Sequence, residues 1–148
     1  MSSAESANAE RILGPELATL FFRLPVNDQR HGLDVLASVS QLNAQPSRML
    51  QQAALLHDVG KSGARFSVVD RSLTVFLEAA SPRLLGALLR ARPAFARRYA
   101  VYRDHARIGA DWLHARGATE LAGIVAEHHA PNPTSDVTRR LQQADRRN

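Results

Sequence analysis

The chain contains six histidines, and five of them continue apolar stripes of helical spacing. His31, for example, lies four and eight residues before Val35 and Val39, and residues at such steps share one face of a helix. The five that point toward a core in this way are His31, His57, His105, His128 and His129. His114 follows His105 by nine residues, about 180° around a helix at roughly 100° per residue, so it should face away.

Two carboxylates join this inward set. Asp58 directly follows His57 in the apolar run AALLHDVG, and Asp145 extends the stripe of Val137 and Leu141. A buried carboxylate without a partner is costly, so it normally needs a cation or strong hydrogen-bond donors. Imidazole and carboxylate together are ligands for divalent metal ions. The group therefore predicts a metal site suited to iron, manganese, zinc, cobalt or nickel, among which the spacing does not choose.

The elements that must position these residues are helical throughout. Aliphatic residues and alanine recur at three- and four-residue steps, and no stretch alternates with a period of two. Glycine and proline divide the pattern into segments. We predict helices over 15–23, 28–43, 47–58, 67–80, 82–91, 97–116, 119–129 and 135–146. The expected architecture is all-α, a single compact helical bundle over 15–148 that follows a frayed N-terminal segment, 1–14.

Length and composition limit the function classes. A chain of 148 residues suits one domain, and the absence of cysteine excludes disulfides, thiolate zinc sites and cysteine nucleophiles. The first residues carry no secretory pattern and no apolar run approaches a membrane span, so we expect a cytoplasmic protein with no membrane partner.

The charge balance indicates the kind of partner. The net charge is +5, and Lys61 is the one lysine among 19 basic residues. A cationic protein favours anionic partners. Because no nucleic-acid-binding motif is present, we expect a small phosphorylated substrate, such as a nucleotide, rather than nucleic acid.

The order of these residues resembles a known pattern. His31, His57-Asp58 and Asp145 are similar to the H…HD…D signature of the HD-domain metal-dependent phosphohydrolase superfamily. The strings HDVGK (57–61), HARIGADWL (105–113) and AEHHAP (126–131) resemble the HD-GYP-like subset. The likeness covers about residues 20–148, and the fold that it implies, an all-α bundle, agrees with the periodicity.

The resemblance also implies roles for individual residues. It implies a first divalent ion held by His31, His57, Asp58 and Asp145, and a second held by His105, His128 and His129, with Asp58 bridging the two. Lys61 would contact the substrate phosphate, and Arg65 would help to neutralise its charge. The implied reaction is hydrolysis of a nucleotide or other small phosphate ester by metal-activated water, with Asp58 and Lys61 as catalytic residues.

The sequence departs from the subset after the histidine pair. The segment reads HHAPNPTSD and contains no Gly-Tyr-Pro, which argues against cyclic di-GMP as the substrate. Two other functions stay open. Some HD-fold proteins use a comparable His/Asp set to hold two irons and activate O₂, and a non-catalytic metal-containing module could bind nucleotides for regulation. Metal identity and oxygen dependence separate the first alternative from a hydrolase, and turnover separates the second from both enzymes.

Overall fold

The computed structural model describes residues 1–63 and 68–148, excluding the side chains of Val68 and Arg71, and this part of the chain contains helices and no strand. The prediction of an all-α bundle is confirmed. The elements in chain order are α1 (Ser3–Phe21), α2 (Val26–Leu42), α3 (Arg48–Leu56), a 3₁₀ turn (Val59–Gly63), α4 (Val68–Ala80), α5 (Pro82–Ala91), α6 (Pro93–Arg103), α7 (His105–His114), α8 (Thr119–Ala126) and α9 (Asp136–Asp145).

The main core is formed by the apolar faces of α1, α2, α3, α7, α8 and α9. The helices α2, α3 and α9 pack against one another, and α7 packs against α8 and the 3₁₀ turn. A smaller cluster of Leu77, Leu85 and Phe95 joins α4, α5 and α6. The helices that carry Asp145 and the five histidines predicted to face inward, or that directly precede them, therefore belong to the main core.

The N-terminus differs from the expected frayed segment over 1–14. The helix α1 begins at Ser3, where Ser2 and Glu5 cap it reciprocally: the Ser2 hydroxyl accepts from the Glu5 amide, and the Glu5 carboxylate accepts from the Ser2 amide. Ile12 and Leu13 are buried in the main core. Gly14 then adopts a φ of 75° and kinks the helix before Pro15 without ending it. Capping and burial together order these residues.

The helix predicted over 119–129 ends at Ala126, so that His128 and His129 lie in the turn after it. Two further predicted helices also have different limits. The segment predicted as one helix over 97–116 is two helices, α6 and α7, divided at Asp104. The helix predicted over 47–58 ends at Leu56, so that His57 and Asp58 lie in the turn that leads into the 3₁₀ segment. Both breaks place functional side chains at helix ends, where the backbone can leave the regular helical direction.

Within the described ranges, no helix is both long and apolar enough to cross a membrane.

Candidate metal centre

The carboxylate of Asp58 lies at the centre of the histidine cluster and is 4% exposed. Its Oδ1 atom is 3.2 Å from Nε2 of His105 and 3.8 Å from Nε2 of His128. Its Oδ2 atom is 3.5 Å from Nε2 of His57 and 4.0 Å from Nε2 of His31. The two oxygens of one carboxylate therefore face two different groups of histidines.

The first group joins α2, the turn after α3, and α9. Asp145 Oδ1 lies 3.0 Å from Nε2 of His31 and 3.6 Å from Nε2 of His57. The ligand atoms of His31, His57 and Asp58 all lie within 4.8 Å of one another, as a shared metal ion requires. The structure thus brings together the four residues that the resemblance assigned to a first ion.

The second group joins the start of α7 to the turn after α8. Nε2 of His105 lies 3.3 Å from Nε2 of His128 and 3.2 Å from Nε2 of His129. Together with Asp58, these three histidines form the second cluster whose ligand atoms lie within 4.8 Å of one another. His128 is buried, whereas His129 is exposed. His114 is exposed outside both clusters, as its position on the helix predicts.

The three buried histidines are oriented in the same way. Each places Nδ1 against the backbone carbonyl three residues earlier: His57 on Ala54 at 3.0 Å, His105 on Tyr102 at 2.5 Å, and His128 on Val125 at 2.6 Å. A carbonyl oxygen can only accept, so Nδ1 carries the proton and donates it. In the neutral imidazole, Nε2 then carries a lone pair that is directed at the cluster. A hydrogen bond from the other ring nitrogen is the usual way in which proteins orient a metal-ligating histidine.

This arrangement leaves polar atoms unpaired in the interior. Nε2 of His57 and Oδ1 of Asp58 are buried without a hydrogen-bond partner among the described residues. Lone pairs that converge without a proton between them repel, and a buried acceptor without a donor is costly. A bound divalent cation would remove both penalties. The donor set therefore fits divalent metal ions.

The protonation states favour the same interpretation. Burial lowers the pKa of His128 to about 3, assisted by the neighbouring charges of His57 and His129. Burial also lowers the pKa of His129, with His105 as the next cause. Both imidazoles are thus neutral near pH 7, and metal ligation requires the neutral form.

The carboxylates stay ionised for a related reason. Burial raises the pKa of Asp58, but the protonated forms of His57 and His105 and the Lys61 ammonium outweigh it and hold that pKa well below the ordinary value. The hydrogen bond from His31 lowers the pKa of Asp145, and the same bond raises the pKa of His31. At neutral pH the centre accordingly offers two anionic carboxylates to a cation.

Lys61 lies at the edge of this centre. Its Nζ donates to Asp58 Oδ2 at 2.5 Å and lies 5.9 Å from the centre of the Tyr102 ring. The structure therefore places Lys61 beside the predicted ligands. Arg65, the second predicted phosphate contact, lies outside the described residues.

Gly60 has a role that the sequence analysis missed. A Cβ atom at this position would lie 2.0 Å from the carbonyl oxygen of His105 and 2.8 Å from the amide nitrogen of Gly109. The backbone of the 3₁₀ turn thus rests directly on the backbone of α7, and this contact brings Asp58 within reach of His105. The glycine could be read from the sequence only as a helix stop, because its neighbour in space is 45 positions away.

The comparison with protein families agrees with this geometry. A family model described as "Cas3, HD domain" matches residues 18–148. The chain belongs to this HD-domain family. The resemblance to the HD-domain superfamily is thereby confirmed, whereas membership of the HD-GYP-like subset is not. No curated protein and no solved structure matches the chain. An HD domain together with a buried His/Asp cluster indicates a metal-dependent hydrolase.

Proposed function

We propose that the protein is a metal-dependent phosphohydrolase that hydrolyses a nucleotide or another small phosphate ester. The observation that carries the proposal is the division of the Asp58 carboxylate between two clusters of ligands. One oxygen faces His105 and His128, and the other faces His31 and His57. A carboxylate shared in this way is the arrangement expected of a binuclear centre.

The metal ions and the side chains that hold them would have different roles in the reaction. Two divalent ions, when bound, would supply a water that deprotonates near neutral pH and a clamp on the phosphoryl oxygens. His31, His57, Asp58 and Asp145 would hold the first ion, and Asp58, His105, His128 and His129 the second. Two divalent charges against two carboxylates leave a positive surplus of about two, which attracts a phosphate.

Lys61 and Arg65 would bind and orient the phosphate. The Lys61 ammonium lies at the oxygen of Asp58 that faces the first cluster, so a phosphate entering there would meet a positive charge. A cation at this position stabilises the charge that develops on the phosphoryl oxygens in the transition state. No nucleophilic side chain is needed, since water is the attacking group.

A nucleic-acid phosphodiester is the second candidate substrate. The family of the chain is a nuclease-type HD domain. Five exposed arginines also lie on α6, α7 and the residue before them, namely Arg92, Arg97, Arg98, Arg103 and Arg107. A basic surface beside a hydrolytic centre suits a polyanion, although Arg103 and Arg107 already pair with Asp104. Direct assay of both substrate classes decides between them.

The test begins with metal content. We would purify the untagged protein without oxygen and measure bound metal by elemental analysis, with His105→Ala and His114→Ala as a matched pair. The proposal predicts about two ions per chain in the parent protein and in His114→Ala, and fewer in His105→Ala. Loss of metal from His114→Ala, with retention in His105→Ala, would show that the assignment of helix faces is wrong.

Turnover then separates the functional classes. The loaded protein would be assayed with nitrophenyl phosphate mono- and diesters, nucleoside monophosphates and triphosphates, and a single-stranded oligonucleotide. Hydrolysis without oxygen uptake supports a phosphohydrolase, and the substrates cleaved identify its class. Iron content with substrate-dependent oxygen uptake would instead indicate the di-iron oxygenase. Nucleotide binding without turnover in any of these assays would indicate the regulatory module.

A further inference from the structure

The turn that carries His128 and His129 is attached to α9 by one side chain. Gln142, half-buried on α9, donates from Nε2 to the carbonyl of His128 at 3.1 Å and to the carbonyl of Ala130 at 2.8 Å. An amide nitrogen has two protons, so it can make both hydrogen bonds at once. These two carbonyls lie on either side of His129, and the side chain thus spans the histidine pair.

Other links between this turn and the rest of the molecule are few. No backbone N–H in the described part of the chain donates to the carbonyl of His128 or Ala130. The amide of His128 makes a long bond of 3.4 Å to the carbonyl of Val125. Glu127 accepts from the amide of Thr134 at 3.0 Å, but this bond joins two points of the same loop. Arg139 of α9 donates to the carbonyl of Pro133 at 3.1 Å, farther along the loop. Gln142 is therefore the polar link from α9 to the part of the loop that carries the two histidines.

The helix that provides this link is itself firmly placed. Leu141 and Ala144 of α9 are 1% and 0% exposed, and the helix packs on α2 and α3. One turn beyond Gln142, the same helix presents Asp145 to His31 at 3.0 Å. One element thus supplies a carboxylate to the first cluster and holds the backbone of the second.

We propose that Gln142 is a positioning residue that assembles the second ligand cluster by fixing the His128–His129 turn against α9. The proposal rests on the proposed binuclear function and adds a dependence between its two sites. To share one ion, His128 and His129 must both direct Nε2 at the same position beside Asp58 Oδ1. A small displacement of their backbone would move these two nitrogen atoms away from that position. The hydrogen bonds of Gln142 within the described residues go to the carbonyls of His128 and Ala130 and to none of His31, His57 and Asp58.

The test compares two neighbouring glutamines on one helix. Gln142→Glu replaces the donor with a carboxylate that repels both carbonyls, and Gln142→Met removes the donor without adding charge. Gln143 is exposed, so Gln143→Glu and Gln143→Met make the same chemical changes where no such link exists. Two substitutions at each position keep the comparison valid if one variant fails to fold.

Cobalt binding is the first readout. Titration of the metal-free proteins with Co²⁺, followed by calorimetry and visible absorption, would resolve the two binding steps, and His129→Ala identifies the step that belongs to the second cluster. We expect the dissociation constant of that step to rise about tenfold or more in both Gln142 variants, the usual effect of losing a partner that orients a ligand. The first step should change less than about twofold, and both Gln143 variants should match the parent protein. Equal second steps in the Gln142 and Gln143 variants would overturn the proposal.

Hydrogen–deuterium exchange of the metal-free proteins is a second readout that does not depend on metal. Amides of residues 127–134 should exchange faster in the Gln142 variants than in the Gln143 variants, with unchanged exchange in α2 and α3. If the parent protein binds fewer than two ions, the binuclear function fails, and this measurement still decides the positioning role. Unchanged exchange in the loop would overturn that role.

Discussion

Oδ1 of Asp58 lies 3.2 Å from Nε2 of His105, across the junction between the 3₁₀ turn and the first residue of α7. Because His105 donates its Nδ1 proton to the backbone, these two atoms face each other as two acceptors. Neither the helix spacing around His57 nor that around His105 requires this distance. The distance follows from the packing of the 3₁₀ turn against α7. This packing makes Asp58 part of both ligand clusters.

Replacement of Asp58 is therefore expected to remove both metal ions together. Asp58→Ala deletes the oxygen that faces each cluster, so the metal content should fall from about two ions per chain to nearly none, with loss of phosphate-ester hydrolysis. Elemental analysis and a turnover assay measure the two effects. Asp111→Ala, which removes an exposed carboxylate paired with Arg107 at 3.1 Å, is the matched control and should retain metal and activity. An Asp58 variant that keeps one full equivalent of metal would show that the carboxylate does not bridge.

The close contact between Gly60 and the backbone of α7 gives a prediction for stability. Gly60→Ala would place a Cβ atom 2.0 Å from the carbonyl oxygen of His105, so the 3₁₀ turn must move away from α7. We expect the free energy of unfolding to fall by about 1–3 kcal/mol or more, as for overpacked interiors.

Gly123→Ala is the opposite control, because no atom lies within 4 Å of its added methyl group and it occupies the interior of α8. That change should raise stability by roughly 0.5–1 kcal/mol. Urea denaturation of both metal-free variants checks the signs, and equal midpoints would refute the packing argument.

The sequence predicts the inward faces well because helical periodicity reports burial directly. His31, His57, His105 and His128 are all placed toward the interior, and His114 is exposed, as their spacing indicates. The prediction for His129 is wrong: this residue is exposed, because α8 ends at Ala126 and the helical spacing does not extend to it. Periodicity does not predict where a helix ends when contacts with other segments determine that end. The breaks at Leu56 and Asp104 are examples, and each sets the direction of an adjacent ligand, His57 or His105.

Long-range contacts are the part of the centre that periodicity cannot supply. Gln142 reads in the sequence as one of two adjacent polar residues on an amphipathic helix, and only the fold shows that it reaches the turn of His128 while Gln143 is exposed. The part of α1 before Gly14 was missed for a different reason. Its first turns are rich in serine and alanine, and the Ser2–Glu5 cap and the burial of Ile12 together order a segment that looks weakly structured.

That N-terminal cap gives a prediction about pH. The hydrogen bond from Arg30, followed by the amide of Ser2, lowers the pKa of Glu5 from 4.5 to about 2. A carboxyl whose pKa is lower in the folded than in the unfolded state contributes stability that is fully present above the unfolded value. This contribution is lost as the pH falls from about 4.5 through about 2.

Glu5→Gln should therefore lower the Tm of the metal-free protein at pH 7, and the difference from the parent protein should shrink as the pH falls below about 4.5. Added salt should shrink it as well, since the pair with Arg30 is exposed to solvent. Glu10→Gln, which removes the same charge from the same helix, is the matched control for the loss of charge. Thermal melts from pH 7 to pH 3 measure both variants, and a difference that stays constant over this range would contradict the assignment.

Lys61 allows metal binding and catalysis to be separated. Its ammonium contacts Asp58 but can supply no ligand atom while protonated, so Lys61→Met should leave about two ions per chain in place. Turnover of a phosphate ester should nevertheless fall by about 10²–10³-fold in kcat/KM, the usual effect of removing one group that stabilises transition-state charge. Lys61→Arg keeps the charge and should recover part of the rate.

Arg11→Met, which removes one positive charge on α1 where the guanidinium bonds Asn8, is the control for net charge and should retain full activity. Full turnover in Lys61→Met would remove the lysine from the catalytic machinery, whereas loss of metal from that variant would show that its role is to hold Asp58 in place.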